Sequence, residues 1–158
     1  MLVPPGVDHR LDILRRPSIF GGLSDTTLAF LLERADRVEV ATGECFCIES
    51  ERGGALYVLE RGLAEAVKIR GETTVRLTEI RPGDCFGEVA VVGILPRSAT
   101  VRALEECGAL RIASPALSAL CGRDLEQYSL IMMNLAREVA RRLHAANEML
   151  LELGVPPR

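Results

Sequence analysis

Two charged side chains stand near the ends of an otherwise apolar segment, FGEVAVVGILPRSATV, at residues 86–101. Burying a charge that has no partner is costly, so Glu88 and Arg97 either pair with each other or meet a ligand. An arginine can grip a phosphate through two parallel hydrogen bonds, with help from the neighbouring Ser98 hydroxyl. A carboxylate accepts hydrogen bonds, and its natural target is a sugar hydroxyl. The segment therefore indicates a site for a sugar phosphate that carries one negative charge.

The composition excludes several classes of protein. A chain of 158 residues with 48% hydrophobic residues suits one globular domain. A net charge of -3 gives no basic footprint for nucleic acid, so direct DNA binding is not expected. We found no uncharged stretch near the roughly 18 residues of a membrane helix, and we expect a cytoplasmic protein without membrane contact. Five scattered cysteines and two histidines predict reduced core thiols and no metal site.

Short segments rich in Val, Ile, Leu and Thr follow one another from Arg37, with a glycine at nearly every turn. This spacing is typical of an antiparallel roll of about eight strands. Residues 55–62 and 63–69 are expected to pair across or near Gly62, and residues 70–72 to form the turn of a hairpin. Two further strands are predicted on either side of a turn at Gly108. The predicted fold is mainly β with α, an antiparallel jelly-roll barrel.

Helices are predicted on both sides of the roll. Ser24 or Asp25 can cap an N-terminal helix, and Pro115 suits the first turn of a short helix that ends near Gly122. From Asp124 an apolar stripe continues at helical spacing over roughly 40 Å, beyond what the roll can cover. We therefore expect a long C-terminal helix whose last turns form a homodimer or a lid. The predicted divisions are an N-terminal extension (1–16), a β-roll (17–122) and the C-terminal helix (123–158).

Several separated motifs resemble the cyclic nucleotide-binding domain family from about residue 19 to at least 120. They are IFGGLSDTTLAFLL, GECFCIESERGGALYVLERG, RPGDCFGEVAVV and PRSATVRA, in the family's order and at its distances. The resemblance implies a phosphate-binding cassette over residues 86–100. In it, Gly87 and Glu88 would meet the ribose 2'-hydroxyl, Arg97 and Ser98 the cyclic phosphate, and Ala99 would add a backbone N–H. The predicted ligand-binding set is Phe86, Gly87, Glu88, Val89, Ala90, Arg97, Ser98, Ala99 and Asn147, with Val75, Leu77 and residues 89–91 as walls around the base.

Asn147 enters this set through the C-terminal helix. The segment AREVARRLHAANEML resembles the family's bacterial regulator branch, in which residues after ARRL reach the purine. This nominates Ala146 and Asn147, with Arg141 or Arg142 also possible, from the same or the partner subunit. That branch continues into a DNA-reading helix-turn-helix, which does not follow residue 153. The resemblance therefore predicts a free-standing sensor.

The leading interpretation is a receptor that binds cAMP or, as runner-up, cGMP, with a cyclic dinucleotide still open. It needs no cofactor and relays occupancy through the C-terminal helix to an unknown effector protein. The alternative is a protein-interaction module with a degenerate pocket, in which Glu88 and Arg97 pair internally. An enzyme of the cupin type would need a cluster of histidines and carboxylates in the roll, which two isolated histidines do not supply. We expect no catalytic activity.

Overall fold

The computed structural model describes residues 5–91 and 95–155; of residues 5–8, 89 and 90 it describes the backbone alone. The helices are α1 (Pro5–Arg15), a 3-10 turn (Ser18–Phe20), α2 (Asp25–Glu33), α3 (Glu88–Val91), α4 (Ser114–Arg123) and α5 (Leu125–Glu152). The strands are β1 (Asp36–Val40), β2 (Cys45–Cys47), β3 (Ala55–Arg61), β4 (Ala64–Arg70), β5 (Thr73–Ile80), β6 (Cys85–Phe86), β7 (Thr100–Ala103) and β8 (Cys107–Ala113). The predicted count of about eight strands is confirmed.

The strands pair in two antiparallel four-stranded sheets, with the orders β1-β8-β3-β6 and β2-β7-β4-β5. The hairpin predicted around residues 70–72 is confirmed, since Arg70 of β4 lies opposite Thr73 of β5. The pairing predicted across Gly62 is wrong, because β3 pairs with β6 and β8 while β4 pairs with β5 and β7. Gly62 has a φ of +87°, a left-handed conformation in which the chain leaves one sheet for the other.

The turn predicted at Gly108 is also wrong. Gly108 lies inside β8, where it is paired with Glu39 of β1 and with Arg61 of β3. A Cβ atom at this position would come within 3.0 Å of the Arg61 Nε atom. The glycine therefore serves the close approach of a neighbouring side chain, which is a common reason for glycine within a strand.

Two hydrophobic layers hold the fold together, and β3 contributes to both. Tyr57 and Leu59 lie in the layer between the two sheets, whereas Leu56 and Val58 pack against the helices. This division follows from the strand geometry, in which successive side chains point to opposite faces. Ile13 and Leu14 of α1 are fully buried in the helical layer, so the segment predicted as an N-terminal extension contributes to the core.

Side-chain caps begin the helices near the predicted positions. The Ser24 hydroxyl accepts a hydrogen bond from the Thr27 N–H at 3.2 Å, which caps α2. The Asp124 carboxylate accepts one from the Gln127 N–H at 3.1 Å, which caps α5. Pro115 lies in the first turn of α4, as the sequence predicts. These local signals explain why the helix boundaries agree closely with expectation.

The long helix α5 is covered at its start and exposed beyond it. Ile131 and Leu135 are buried against the rest of the chain, but Leu143 is 61% exposed and Leu153 is 72% exposed. This matches the expectation that the roll covers only the first turns of the apolar stripe. None of the helices in the described part of the chain combines the length and apolarity that a membrane span needs.

Candidate functional site

A cavity of about 730 Å³ lies between the β2-β7-β4-β5 sheet, the segment around α3, and α5. Its volume falls within the range of small-molecule sites. The lining includes most of the predicted set, namely Phe86, Gly87, Glu88, Arg97, Ser98 and Ala99. The structure thus gathers the two ends of the 86–101 segment around a single space.

Arg97 lies deep in the wall of this cavity and is only 6% exposed. Its Nη1 atom donates hydrogen bonds to the carbonyl oxygens of Ala55, at 2.9 Å, and Gly87, at 3.2 Å. Its guanidinium carbon lies 5.5 Å from the centre of the Tyr57 ring, an arrangement that attracts a cation. Within residues 5–91 and 95–155, no carboxylate forms a salt bridge with Arg97; its described partners are neutral. A cation this well buried favours an anionic ligand.

The backbone around Arg97 holds its side chain in this position. The Arg97 N–H donates to the Glu51 carbonyl, and the Arg97 carbonyl accepts from the Ser50 N–H, both at 2.9 Å. Gly53 and Gly87 leave room for the guanidinium, because a Cβ atom at either residue would come within 2.4 to 2.5 Å of one of its nitrogens. Gly87 also has a φ of +81°, which disfavours a side chain. Both glycines therefore leave the space that the Arg97 side chain occupies.

Glu88 is 3% exposed and pairs with an arginine other than Arg97. Its Oε1 atom accepts a hydrogen bond from Nη1 of Arg142 on α5. The Nε atom of Arg142 donates in turn to Oε1 of Glu138 at 3.0 Å. The internal pair between Glu88 and Arg97, which the sequence left open, is therefore not formed, and the two charges face separate tasks.

A small polar network continues from this pair to the N-terminal region of the chain. The Oε2 atom of Glu138 accepts hydrogen bonds from Arg141 at 2.5 Å and from the Ser18 hydroxyl at 3.3 Å. Burial lowers the pKa of Arg142, but the charges of Glu88 and Glu138 raise it by more, so its pKa lies above the ordinary value. The guanidinium therefore stays charged at the edge of the cavity.

Two cysteines line the same cavity as protonated thiols. Burial, reinforced by the charge of Glu88, raises the pKa of Cys85 to about 12. Burial also raises the pKa of Cys47, whose side chain lies among the residues between the sheets. A thiol that stays protonated is a poor nucleophile and a poor metal ligand. Among the described residues, no group of three or more His, Cys, Asp or Glu side chains is placed to hold a metal ion.

The remaining predicted residues divide into three groups. Leu77, predicted as a wall, and Ala146, predicted as a base contact, both line the cavity, together with Met149, which the sequence did not single out. Asn147 is exposed on α5 and is not among the lining residues that the structure describes, so its contact with a ligand stays a prediction. The exposed Val75 likewise lies outside that lining. Of the walls predicted at 89–91, Val91 packs against the helical layer and is not in the described lining of the cavity. The side chains of Val89 and Ala90 lie outside what the structure describes.

Sequence reasoning missed three contributors to the arginine's environment. Tyr57 supplies a ring, Ala55 a carbonyl group, and Gly53 the space beside the guanidinium. The Gly53-Gly54 doublet before β3 is a visible signal, but by itself it indicates only a strand boundary. Tyr57 carries no signal of its own, because it alternates within β3 as any core residue would.

The fold and the site together define a class of protein. An antiparallel β-roll that places a buried guanidinium on the wall of a cavity of about 730 Å³ is a domain suited to a small anionic ligand. Residues 37–124 match the model of the cyclic nucleotide-binding domain. The chain therefore belongs to the cyclic nucleotide-binding domain family, as its motifs predict.

Several relatives show how this domain is used elsewhere. The chain is 38% identical over 87 residues to a cAMP-dependent protein kinase regulatory subunit of Yarrowia lipolytica, covering 55% of this chain and 23% of the relative. It is 28% identical over 143 residues to a CRP-like cAMP-activated global transcriptional regulator of Mycobacterium tuberculosis, covering 90% of this chain and 62% of the relative. The crystal structure of the Thermus thermophilus catabolite activator protein superposes with a TM-score of 0.76 at 28% identity, covering 87% of this chain and 63% of that one. The chain thus spans less than two thirds of the length of these relatives.

Proposed function

We propose that this chain is a cyclic nucleotide receptor that binds cAMP in the cavity beside Arg97, with cGMP as the alternative ligand. The observation that carries the proposal is the Arg97 guanidinium, which is buried in the cavity wall with no carboxylate partner in the described part of the chain. Two relatives bear cAMP in their names, which favours this nucleotide. The proposed role is binding and signalling, without a chemical reaction.

In this proposal each charged group of the cassette has one task. Arg97 and the Ser98 hydroxyl hold the cyclic phosphate, and the Ala99 N–H adds a backbone donor. Glu88 accepts a hydrogen bond from the ribose 2'-hydroxyl. The adjacent glycine, Gly87, lets the main chain approach the sugar closely. The purine then occupies the region of the cavity nearer to α5, where Ala146 and Met149 form the wall.

The signal would leave the site through α5. Arg142 ties this helix to Glu88, so a ligand that contacts Glu88 acts directly on a group that holds the helix. The exposed apolar positions from Val139 on α5 to Leu153 just beyond its end then form the surface that meets a second copy of the chain. In such a dimer, Asn147 of one subunit could approach the purine of the other. The effector would read the position of this helix.

Titration calorimetry of the wild-type protein and of Arg97→Ala with cAMP and cGMP tests the proposal. Removing the guanidinium should weaken binding by about 2–5 kcal/mol, the cost of breaking a buried charge-assisted contact. Arg97→Lys keeps the charge but loses the planar fork, and we expect intermediate affinity. Arg111→Ala removes a surface ion pair with Asp36 and serves as the control, with unchanged affinity.

Thermal unfolding of each variant separates a lost contact from a lost fold, since Arg97 also donates to two backbone carbonyls. Equal binding by the wild type and a folded Arg97→Ala variant would remove the basis of the proposal. A wild-type protein that binds neither nucleotide would instead favour a protein-interaction module with a degenerate cavity.

A further inference from the structure

The cavity lining extends beyond the residues that the proposed function assigns to a nucleotide. One part of it, here called the N-terminal lobe, is formed by the segment after α1 and the turn before β6: Arg16, Pro17, Ser18, Gly83 and Asp84. The Ser18 hydroxyl donates a hydrogen bond to Glu138 at 3.3 Å. Arg142 joins Glu138 to Glu88, so the lobe adjoins the end of the site assigned to the ribose. A volume of about 730 Å³ lies in the upper half of the range for small-molecule sites, which leaves this space open to a further ligand group.

The backbone and the stem of Arg16 are held in place, while its charged group is available. The Arg16 N–H donates to the Ile13 carbonyl at 3.2 Å, and the next residue, Pro17, is buried. The side chain lies against Gly83, where an added Cβ atom would come within 2.5 Å of the Arg16 Cδ atom. In the part of the chain that the structure describes, neither a salt bridge nor a hydrogen bond engages the Arg16 guanidinium. An arginine whose stem is already held loses less freedom when its planar head binds an anion.

Gly83 and Gly87 lie on either side of strand β6, and each leaves room for an arginine side chain. Gly87 does so for Arg97, and Gly83 does so for Arg16. Four residues of extended chain span at most about 14 Å, so the two places where the arginines meet this segment are no further apart than that. Both arginines line the same cavity. This spacing allows two phosphate groups, on one ligand or on two, to bind side by side.

Two carboxylates also line this region, and both have partners. Glu138 accepts hydrogen bonds through both oxygens, from two arginines of α5 and from Ser18. Asp84 accepts the Arg81 N–H at 2.8 Å, which closes the turn before β6. Arg16 is thus the charged group of the lobe that has no compensating contact among the described residues. A guanidinium in this situation favours an anion with which it can form paired hydrogen bonds.

We propose that the N-terminal lobe is a second phosphate subsite, in which the Arg16 guanidinium binds a phosphate group beside the nucleotide held by Arg97. The inference rests on the proposed function and extends the class of ligand. The phosphate can come from two sources, the second phosphate of a cyclic dinucleotide or a free phosphate ion, which present the same chemistry to Arg16. A cyclic dinucleotide with 3',5' linkages also keeps the phosphate and the 2'-hydroxyl that Arg97 and Glu88 would bind.

Titration calorimetry with cAMP, cyclic di-AMP and inorganic phosphate tests the inference. The proteins are the wild type, Arg16→Ala, Arg16→Lys and Arg15→Ala. Arg15 carries the same charge one residue earlier and lies outside the described cavity lining, so Arg15→Ala is the matched control. Inorganic phosphate is titrated into the cAMP-bound protein at constant ionic strength, with chloride as the reference ion, so that general screening does not contribute. Thermal unfolding confirms that each variant is folded, as expected for a change at an exposed residue.

The two sources of the phosphate predict different results. If it belongs to a dinucleotide, the wild type and Arg15→Ala bind cyclic di-AMP, and Arg16→Ala binds it about ten- to a hundredfold more weakly, the scale of a hydrogen bond to a charged group. The affinity for cAMP stays unchanged, and Arg16→Lys recovers part of the loss because it keeps the charge without the planar fork. If the phosphate is a free ion, cyclic di-AMP does not bind, and inorganic phosphate binds to the cAMP-bound wild type but not to cAMP-bound Arg16→Ala.

Three results would overturn the inference. The first is a response to cyclic di-AMP and phosphate that is the same in the wild type and in Arg16→Ala, which would make Arg16 a solvated surface residue. The second is a wild type that binds cAMP but responds to neither of the other probes. The third is an equal loss of cAMP and cyclic di-AMP affinity in Arg16→Ala, which would indicate a general structural role.

The same titrations separate this inference from the proposed function. If cAMP binding depends on Arg97 and no probe depends on Arg16, the receptor stands and the second subsite fails. If the wild type binds neither cAMP nor cGMP but binds cyclic di-AMP through Arg16, the proposed ligand fails and the second subsite stands. If it binds none of these nucleotides, both proposals fail.

Discussion

The substitution Gly53→Ala should displace the Arg97 guanidinium without altering any charge. The added Cβ atom would lie 2.4 Å from Nε of Arg97 and 2.6 Å from Nη2, whereas ordinary van der Waals contact begins at 3.4 Å. The guanidinium must therefore move by about 1 Å. Because it is the far end of a flexible side chain, it can move at little cost to the fold, but it leaves the position from which it would grip a phosphate.

A shift of this size should disrupt one of the two parallel hydrogen bonds that the Arg97 guanidinium would donate to a ligand phosphate. A hydrogen bond to a charged group contributes about 1.5–3 kcal/mol, so we expect cAMP affinity to fall by roughly ten- to a hundredfold. The free energy of unfolding should change by less than about 1 kcal/mol. Calorimetry with cAMP measures the first quantity, and urea unfolding in the absence of ligand measures the second.

Gly122→Ala is the matched control, because a Cβ atom at Gly122 in α4 meets no heavy atom within 4 Å. It should leave cAMP affinity unchanged and stabilise the helix slightly. Full affinity in Gly53→Ala would refute the reasoning, since a guanidinium pushed aside by about 1 Å cannot hold a phosphate as before. A loss of affinity that is matched by a comparable loss of stability would also refute it.

Four other substitutions give predictions about the core and the surface. The pKa of Cys85 is raised by burial to about 12, so its contribution to stability is complete below its unfolded pKa near 9 and is lost as the pH rises toward 12. In urea unfolding, the free energy of unfolding should therefore fall between pH 8 and pH 10. We expect this fall to be smaller by about 1 kcal/mol in Cys85→Ala than in the wild type. Ile131→Ala should cost about 2–5 kcal/mol because the side chain is buried, whereas Leu143→Glu should leave the stability of the monomer unchanged and abolish dimers in sedimentation experiments. A hydrogen bond from Arg102 lowers the pKa of Glu65, so the contribution of Glu65 to the free energy of unfolding is present above about pH 4.5 and is lost on acidification. Glu65→Gln should therefore make the stability less dependent on pH below that value. Acid titration followed by circular dichroism measures this dependence.

Local signals were enough to predict most of the secondary structure. The hairpin between β4 and β5 is set by alternating residues on both sides of Gly71, whose φ is +60°. The caps at Ser24 and Asp124 are equally local, because donor and acceptor lie three residues apart. Features of this kind depend on neighbours in the chain, and the sequence displays those neighbours directly.

Strand partners were less predictable, because they depend on residues that are far apart in the chain. Gly62 and Gly108 each look like the turn of a hairpin, but one connects strands of different sheets and the other lies within a strand. A glycine indicates freedom of the backbone or a close approach, and it does not tell which of these applies. At Gly108 the reason is the close approach of the Arg61 side chain, and at Gly62 it is the passage from one sheet to the other. Both depend on strands that are far apart in the chain.

The candidate site was also predictable only in its local part. Glu88 and Arg97 stood out because charges are rare in an apolar segment, and both line the cavity. The partner of Glu88 could not be identified from the sequence, because Arg142 lies 54 residues away among several arginines of one helix. Tyr57 was equally hidden, since an aromatic residue in a buried strand is ordinary core.

The uneven burial of α5 has a mechanical consequence. From Leu135, its last buried position, to its end at Glu152 the helix extends about 26 Å at 1.5 Å per residue. A tilt of only about 10° around Leu135 would swing the far tip by roughly 5 Å, close to one helical turn. Arg142 lies about 10 Å from Leu135 along this arm. A shift of about 2 Å at its contact with Glu88 therefore becomes roughly 5 Å at the tip, which is enough to bring neighbouring surfaces together or to separate them.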